Sequence, residues 1–385
     1  MLVGVLLPAV FFEDGTVMKP MVTQRNKIYL DIIRLVAIFC VVYNHTPGFD
    51  VPAYEGWNQL GYWSALVVNQ MVKMAVPLFF MVTGALLLAK EEGIRALFRK
   101  RVFRYAVVVV IITVVQYAFF CYNSQEEFSL KTLFSQFYHG VICNEFRASW
   151  FLYAYIGMLL MLPLIRPLSK CAADAVFVYL FVVQFIFCCA IPAAVLCLGE
   201  YEGYCTYSNW ILFQPETGTL PFSAGYCVFY LLAGYFLEHR VSGKFWQKYS
   251  GALLMAAGLC IVAAVACTEA VRRIQGVSAL QESVVFQTAF LPIPCAVFYM
   301  ALKSWCVRTQ LNLRVRSAVA ALGGAVFTVM LTENLFRTSW TGLWDMLVCH
   351  MPVIPAALVY SGIICVAALL LGLVLKRVPY LNKIL

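Results

Sequence analysis

Residues 31–45 read DIIRLVAIFCVVYNH, an apolar run that carries an acid, a guanidinium and an imidazole. Whether that run lies in water or in lipid decides the fold. Hydrophobic residues make up 63% of the 385-residue chain and charged residues 12%, with a mean hydropathy of +0.82. Soluble domains carry about 25% charged residues, so this balance excludes an ordinary soluble protein. A hydrocarbon core of about 30 Å needs about 20 apolar residues per helix, and runs of that kind recur along the whole chain. The expected fold is all-α: a polytopic transmembrane helical bundle in which any chemistry must sit among the helices and their short loops.

Working outward from the opening run, spanning helices are expected near residues 29–47, 62–89, 102–122, 149–168, 173–198, 219–238, 249–268, 284–306, 318–336 and 353–375, ten in all. Pro292 and Pro294 fall inside the eighth, where a kink is expected. Basic residues collect on the cytoplasmic side of membrane proteins. With both termini cytoplasmic, most of the 28 basic residues fall inside, and Lys131, Arg147, Arg272, Arg273 and Arg337 fall outside. The alternation fails only where Arg272 and Arg273 follow the seventh helix. A shift of one helix would destroy the pattern, which supports the count independently of hydropathy.

Residues 25–385 are expected to form a single membrane domain. The stretch 1–24 reads as an N-terminal extension: MLVGVLLPAVFF is too short to span and lacks a basic leader and a cleavage site. Translation beginning at Met18 or Met21 is an open alternative. The 15 cysteines lie mostly in apolar runs without metal-ligand spacing, and read as small packing residues rather than as disulfides or a metal site. The net charge of +9 forms no basic stripe of the kind that binds nucleic acid; it sets topology instead. No internal repeat is evident, and oligomeric state is not legible.

Charged groups inside spanning helices are rare and mark functional candidates. Here they are Asp31, Arg34, Lys73 and Glu333. At ~100° per residue the eleven steps from Arg34 to His45 turn about 1100°, returning to nearly the same direction while rising about 16 Å. Both side chains therefore share one face, with Arg34 toward the cytoplasm, His45 toward the outer half, and Asp31 placed to pair with Arg34. A plain alternative stays open: an interfacial ion pair and a histidine that caps its helix. Lys73 suits neutralising Glu333 or another buried acid, and Glu333 could equally be neutralised by Arg337 four residues on. After the second helix, EEGIRALFRKRVFRY packs Arg95, Arg99, Lys100, Arg101 and Arg104 together. Such a cluster anchors topology or grips anionic lipid, and is equally suited to the phosphates of a cytosolic cofactor, since guanidinium binds phosphate bidentately.

These residues resemble a known family. DIIRLVAIFCVVYNH is similar to the first helix of the acyltransferase family 3 membrane proteins, whose signature of Arg, ten residues, then His falls on Arg34 and His45. VPLFFMVTGALLL resembles the family's second-helix pattern, with Phe79, Phe80, Thr83 and Gly84. FRKRVFRY resembles its Arg-x-Arg element, at Arg99 and Arg101, and SWFLYAYIGMLLMLPLIRPL its fourth helix. One departure stands out: VMLTENLFR carries Thr332 where many relatives have a histidine, though Glu333 and Asn334 remain.

The resemblance implies an O-acyltransferase of the cell membrane, expected in a bacterial inner membrane. Its donor would be cytosolic acyl-CoA, acetyl-CoA by family habit, with no metal. Its acceptor would be a hydroxyl on a cell-surface glycan, glycolipid or related envelope molecule. Arg99, Arg101 and Arg104 would hold the CoA phosphates, while His45, Arg34 and Glu333 would form the catalytic group, supported by Asp31, Lys73 and Asn334. His45 could act as base or as an acyl-accepting nucleophile. The alternative is a secondary transporter with an intramembrane polar path.

Overall fold

The computed structural model describes residues 27–49, 59–138, 150–191, 194, 225–275, 290–309 and 311–379. All the regular structure described is helical, and a helix stands at each of the ten expected positions. In chain order these are α1 (Ile28–Asn44), α2 (Gln59–Val72), α3 (Ala75–Leu87), α4 (Ile94–Leu97) running through a π-helical turn (Phe98–Val102) into α5 (Phe103–Ser124), α6 (Leu130–Tyr138), α7 (Trp150–Cys171), α8 (Asp174–Phe185), α9 (Gly225–His239), α10 (Gly243–Gln275), α11 (Pro292–Arg308), α12 (Leu313–Ser339), α13 (Thr341–His350) and α14 (Val353–Leu375). Six segments are long and apolar enough to cross a membrane: Leu60–Leu87, Ile94–Ser124, Phe151–Cys171, Gly243–Ala270, Leu313–Ser339 and Val353–Leu375. The chain is a multi-pass membrane protein.

Prolines at two places act differently, for one physical reason. Pro77 has no N–H to offer the carbonyl four residues back, and the break between α2 and α3 falls there, at Lys73 and Met74. The kink expected at Pro292 and Pro294 is a correction: α11 starts at Pro292, in the first turn, where the missing donors would have had no intrahelical acceptor. Residues 284–289 of that expected helix, like the extension 1–24, lie outside the described residues.

Close packing fixes the centre. α3 and α9 cross so tightly that a Cβ on Gly84 would run into the backbone of Leu231, and one on Gly234 into the backbone of Met81. Glycine at both crossing points lets the two backbones meet, the usual device of lipid-embedded helices. His239, at the end of α9, adds a hydrogen bond from Nε2 to the Ala85 carbonyl at 2.9 Å. Ile33, Ala37, Phe80, Leu159, Leu231 and Tyr299 form the main core where α1, α3, α7, α9 and α11 meet. α12 and α14 close the other flank of α1 around Ile38, Val42, Val329 and Tyr360.

Polar contacts gather at the two ends of this bundle. At one end Tyr62 and the guanidiniums of Arg272 and Arg273 converge on Glu269, with Arg272 Nη2 at 2.8 Å and Arg273 Nε at 2.7 Å. That acid offsets part of the charge on the two arginines that break the expected alternation.

Candidate active site

His45 closes α1 as its C-cap, with its backbone N–H on the Val41 and Val42 carbonyls. α12 runs beside α1 in the same direction, because a Cβ on Gly323 would lie 2.6 Å from Asp31 Cβ while Glu333 meets His45 further along. The absence of a side chain at Gly323 thus lets α12 approach at Asp31 and delivers Glu333 to the imidazole. His45 Nδ1 and Glu333 Oε1 are 2.8 Å apart, across 288 residues of sequence. The carboxylate is almost wholly buried and the ring about one-third exposed, so the acid sits behind the imidazole. A carboxylate behind Nδ1 selects the tautomer whose Nε2 is open to accept a proton.

Arg337 stands on the other oxygen of Glu333, at 3.7 Å, and its Nη2 donates to Asn334 Oδ1 at 2.6 Å. Tyr360 donates to the Arg337 carbonyl at 3.1 Å. Glu333 therefore meets both His45 and Arg337, and Asn334 orients the latter. Thr332 turns its hydroxyl back onto the Thr328 carbonyl of its own helix at 2.8 Å, so it does not take up the part of the family's histidine. Sixteen ångströms or so along α1, Arg34 Nη1 bonds Asp31 Oδ1 at 2.8 Å, the expected pair, with both side chains partly exposed. Lys73 lies at the α2–α3 break and is engaged in the fold.

The arginine cluster divides. Arg99 and Lys100 are exposed on the π-helical turn, where the widened backbone carries FRKRV. Arg101 is tied down: its Nε bonds Glu92 Oε2 at 3.0 Å. Arg166 of α7, which is not among the intramembrane charges singled out above, is buried and acts as a clasp. It donates to the Leu87 carbonyl at 3.0 Å, to the Glu92 carbonyl at 3.1 Å and to Glu92 Oε2 at 3.3 Å. Burial alone would raise the Glu92 pKa, but Arg101 and then Arg166 overcome it and hold the carboxyl below its usual range. Arg104 is half-buried beside the Tyr105 ring, 5.9 Å from its centroid. Lys376, also unforeseen, donates to the Gly324 carbonyl, and burial followed by the nearby charge of Arg104 lowers its pKa. The signal that could have found Arg166 was a charge between two prolines, Pro163 and Pro167, in an apolar helix.

Between the two ends run aromatic rings from the motif segments. Phe80 lies 5.3 Å from Phe151, Phe79 5.9 Å from the same ring, Tyr105 4.7 Å from Tyr155 and 5.3 Å from Phe327. α3, α5, α7 and α12 thus meet through rings. Among the described residues, no group of three His, Cys, Asp or Glu side chains could hold a metal ion.

The His45–Glu333 pair of α1 and α12, with the Asp31–Arg34 pair further along α1 and the basic turn before α5, belongs to a multi-pass membrane protein. Residues 27–377 match the family model described as an acyltransferase domain, that of acyltransferase family 3. The chain belongs to that family and is an acyltransferase, which sets aside the transporter alternative. No curated protein and no solved structure matches it.

Proposed function

We propose that the protein moves an acyl group, acetyl in the first instance, from cytosolic acyl-CoA to a hydroxyl of a cell-surface glycan or glycolipid. The observation that carries this reading is the His45–Glu333 pair, with a buried acid on Nδ1 and a partly exposed ring. His45 Nε2 takes the proton of the acceptor hydroxyl as its oxygen attacks the thioester carbon. The carbon–sulfur bond then breaks, and the departing thiolate recovers the proton from Nε2. Glu333 stabilises the imidazolium that exists between the two transfers. Arg34, held by Asp31, supplies positive charge along the path of the thioester. Arg99, Arg101, Arg104 and Lys376 hold the CoA phosphates, since guanidinium and ammonium groups bind phosphate by charge-assisted hydrogen bonds.

In the ten-span topology with both termini cytoplasmic, these cations lie inside and His45 lies toward the outer surface, which brings a cytosolic donor to an external acceptor. Support comes from the parallel course of α1 and α12, the first and ninth spans of that scheme. The test compares cells carrying the wild-type and His45→Ala chains. Mass spectrometry of their surface glycans and glycolipids should show an acetyl increment that disappears in the variant, while purified wild-type protein binds radiolabelled acetyl-CoA. An unchanged increment from His45→Ala protein present at wild-type level would sink the assignment.

A further inference from the structure

One helical turn beyond Glu333 on α12 stands a guanidinium that the acyl-transfer steps above do not use. Arg337 Nε lies 3.7 Å from Glu333 Oε2, too far for a hydrogen bond, and both atoms are buried without a hydrogen-bond partner among the described residues. The rest of the group is turned aside, with Nη2 donating to Asn334 Oδ1 at 2.6 Å. Its backbone is pinned separately: the buried Tyr360 of α14 donates to the Arg337 carbonyl at 3.1 Å and to that of Trp340 at 3.4 Å. A positive charge thus sits at a fixed place beside one oxygen of the acid, while the other, Oε1, lies 2.8 Å from His45 Nδ1.

This differs from the usual arginine–carboxylate pair, in which two parallel hydrogen bonds take both oxygens. Arg272 holds Glu269 in that way, with Nε and Nη2 each 2.8 Å from an oxygen. A guanidinium bound so to Glu333 would compete with His45 for Oε1. Restrained by Asn334, Arg337 acts on the acid by charge alone, and a charge at that distance is strongly felt where water is excluded. It also supplies the counter-charge that a buried carboxylate needs and that a neutral imidazole does not provide. We propose that Arg337 is a positioning residue of acyl transfer: it holds the Glu333 carboxylate with Oε1 on His45 Nδ1, and so keeps Nε2 open toward the acceptor hydroxyl. The inference rests on the role proposed above for His45 and Glu333, and Arg337 acts through Glu333 rather than on either substrate.

The test measures initial rates of label transfer from radiolabelled acetyl-CoA in membranes of cells that lack their own copy of the gene and carry the full-length variants. Rates are taken per folded molecule, counted after detergent extraction. Arg337→Gln should lower kcat by about ten- to a hundredfold with KM for acetyl-CoA unchanged. Arg337→Lys, which keeps the charge, should recover most of that loss. The effects of Arg337 and Glu333 should not add: Arg337→Gln on the Glu333→Gln background should lower kcat by less than about a further twofold, because the carboxylate it acts through is gone. A guanidinium that only stabilised the end of α12 would reduce the folded amount and leave kcat per folded molecule unchanged, and that result overturns the proposal. So does a loss that appears in KM instead, a loss that adds in full on the Glu333→Gln background, or an Arg337→Lys protein no better than Arg337→Gln. Each of those failures leaves His45 its role as long as His45→Ala and Glu333→Gln lose activity. If those two variants transfer label as the wild type does, the acyl-transfer reading falls and this inference falls with it.

Discussion

Two buried glutamates sit at opposite ends of the bundle and are equally hidden, with side-chain exposures of 6% for Glu238 and 5% for Glu333. Their surroundings differ. Glu238 receives Lys27 at 2.9 Å, Lys303 at 3.0 Å, Tyr29 at 2.7 Å on each oxygen and Tyr299 at 3.0 Å. Glu333 has His45 at 2.8 Å on one oxygen and Arg337 at 3.7 Å near the other, and that second oxygen has no hydrogen bond among the described residues. Buried charge is normally saturated with partners. Glu238 obeys the rule and fastens α1, α9 and α11 together. Glu333 is under-satisfied beside an imidazole, which supports the role proposed for it in acyl transfer.

The comparison can be broken in several ways. The largest expected effect is that of His45→Ala, a loss of about 10²- to 10⁴-fold in acyl transfer with membrane insertion unchanged. Next come the two acids, changed one at a time. Glu333→Gln should lower turnover by about 10²-fold while thermal unfolding in detergent stays near wild type. Glu238→Gln should instead cost about 3 kcal/mol of stability, by stranding Lys27 and Lys303, with turnover per folded molecule retained. If Glu238→Gln silences the enzyme without destabilising it, the division between fastener and reactive group is wrong.

Smaller effects concern the donor end. Arg166→Ala should raise KM for acyl-CoA by about tenfold with kcat little changed, because the clasp that fixes Glu92 and Arg101 is lost. Arg166→Lys should restore little, since an ammonium cannot span the Leu87 carbonyl and both acceptors of Glu92. An equal fall in kcat would place Arg166 elsewhere in the mechanism. The smallest effect is on pH dependence. Glu92 has a depressed pKa, so its contribution is complete above the ordinary carboxylate range and lost only as pH falls through the lowered value. Acyl-CoA affinity should therefore stay flat from about pH 8 to about pH 5 for this group. A loss of affinity already at mildly acid pH, absent in Glu92→Gln, would contradict it.

The Asp31–Arg34 pair was legible because three helical residues place two side chains together whatever surrounds them. Arg34 and His45 could be put on one face for the same reason. Glu333 could be singled out as a charge in an apolar run, yet its partner could not be chosen between Lys73 and Arg337; the imidazole 288 residues away had no local signature. Arg101 was legible as a cation but not as one half of a pair with Glu92, because that pairing depends on how the turn after α3 folds against α7. Gly84 was noticed for its motif, and only the crossing of α9 explains it.

By itself the sequence determined that the chain lies in a membrane as helices, where they fall, and which charged groups share a face, because hydropathy and helical period are local properties. The tertiary structure alone decided which acid stands behind His45, which arginine clasps the turn after α3, and that an apolar cavity lies among α8–α11. Those features arise where helices distant in the chain meet, and the meeting is set by glycine contacts and ring packing that no single segment contains.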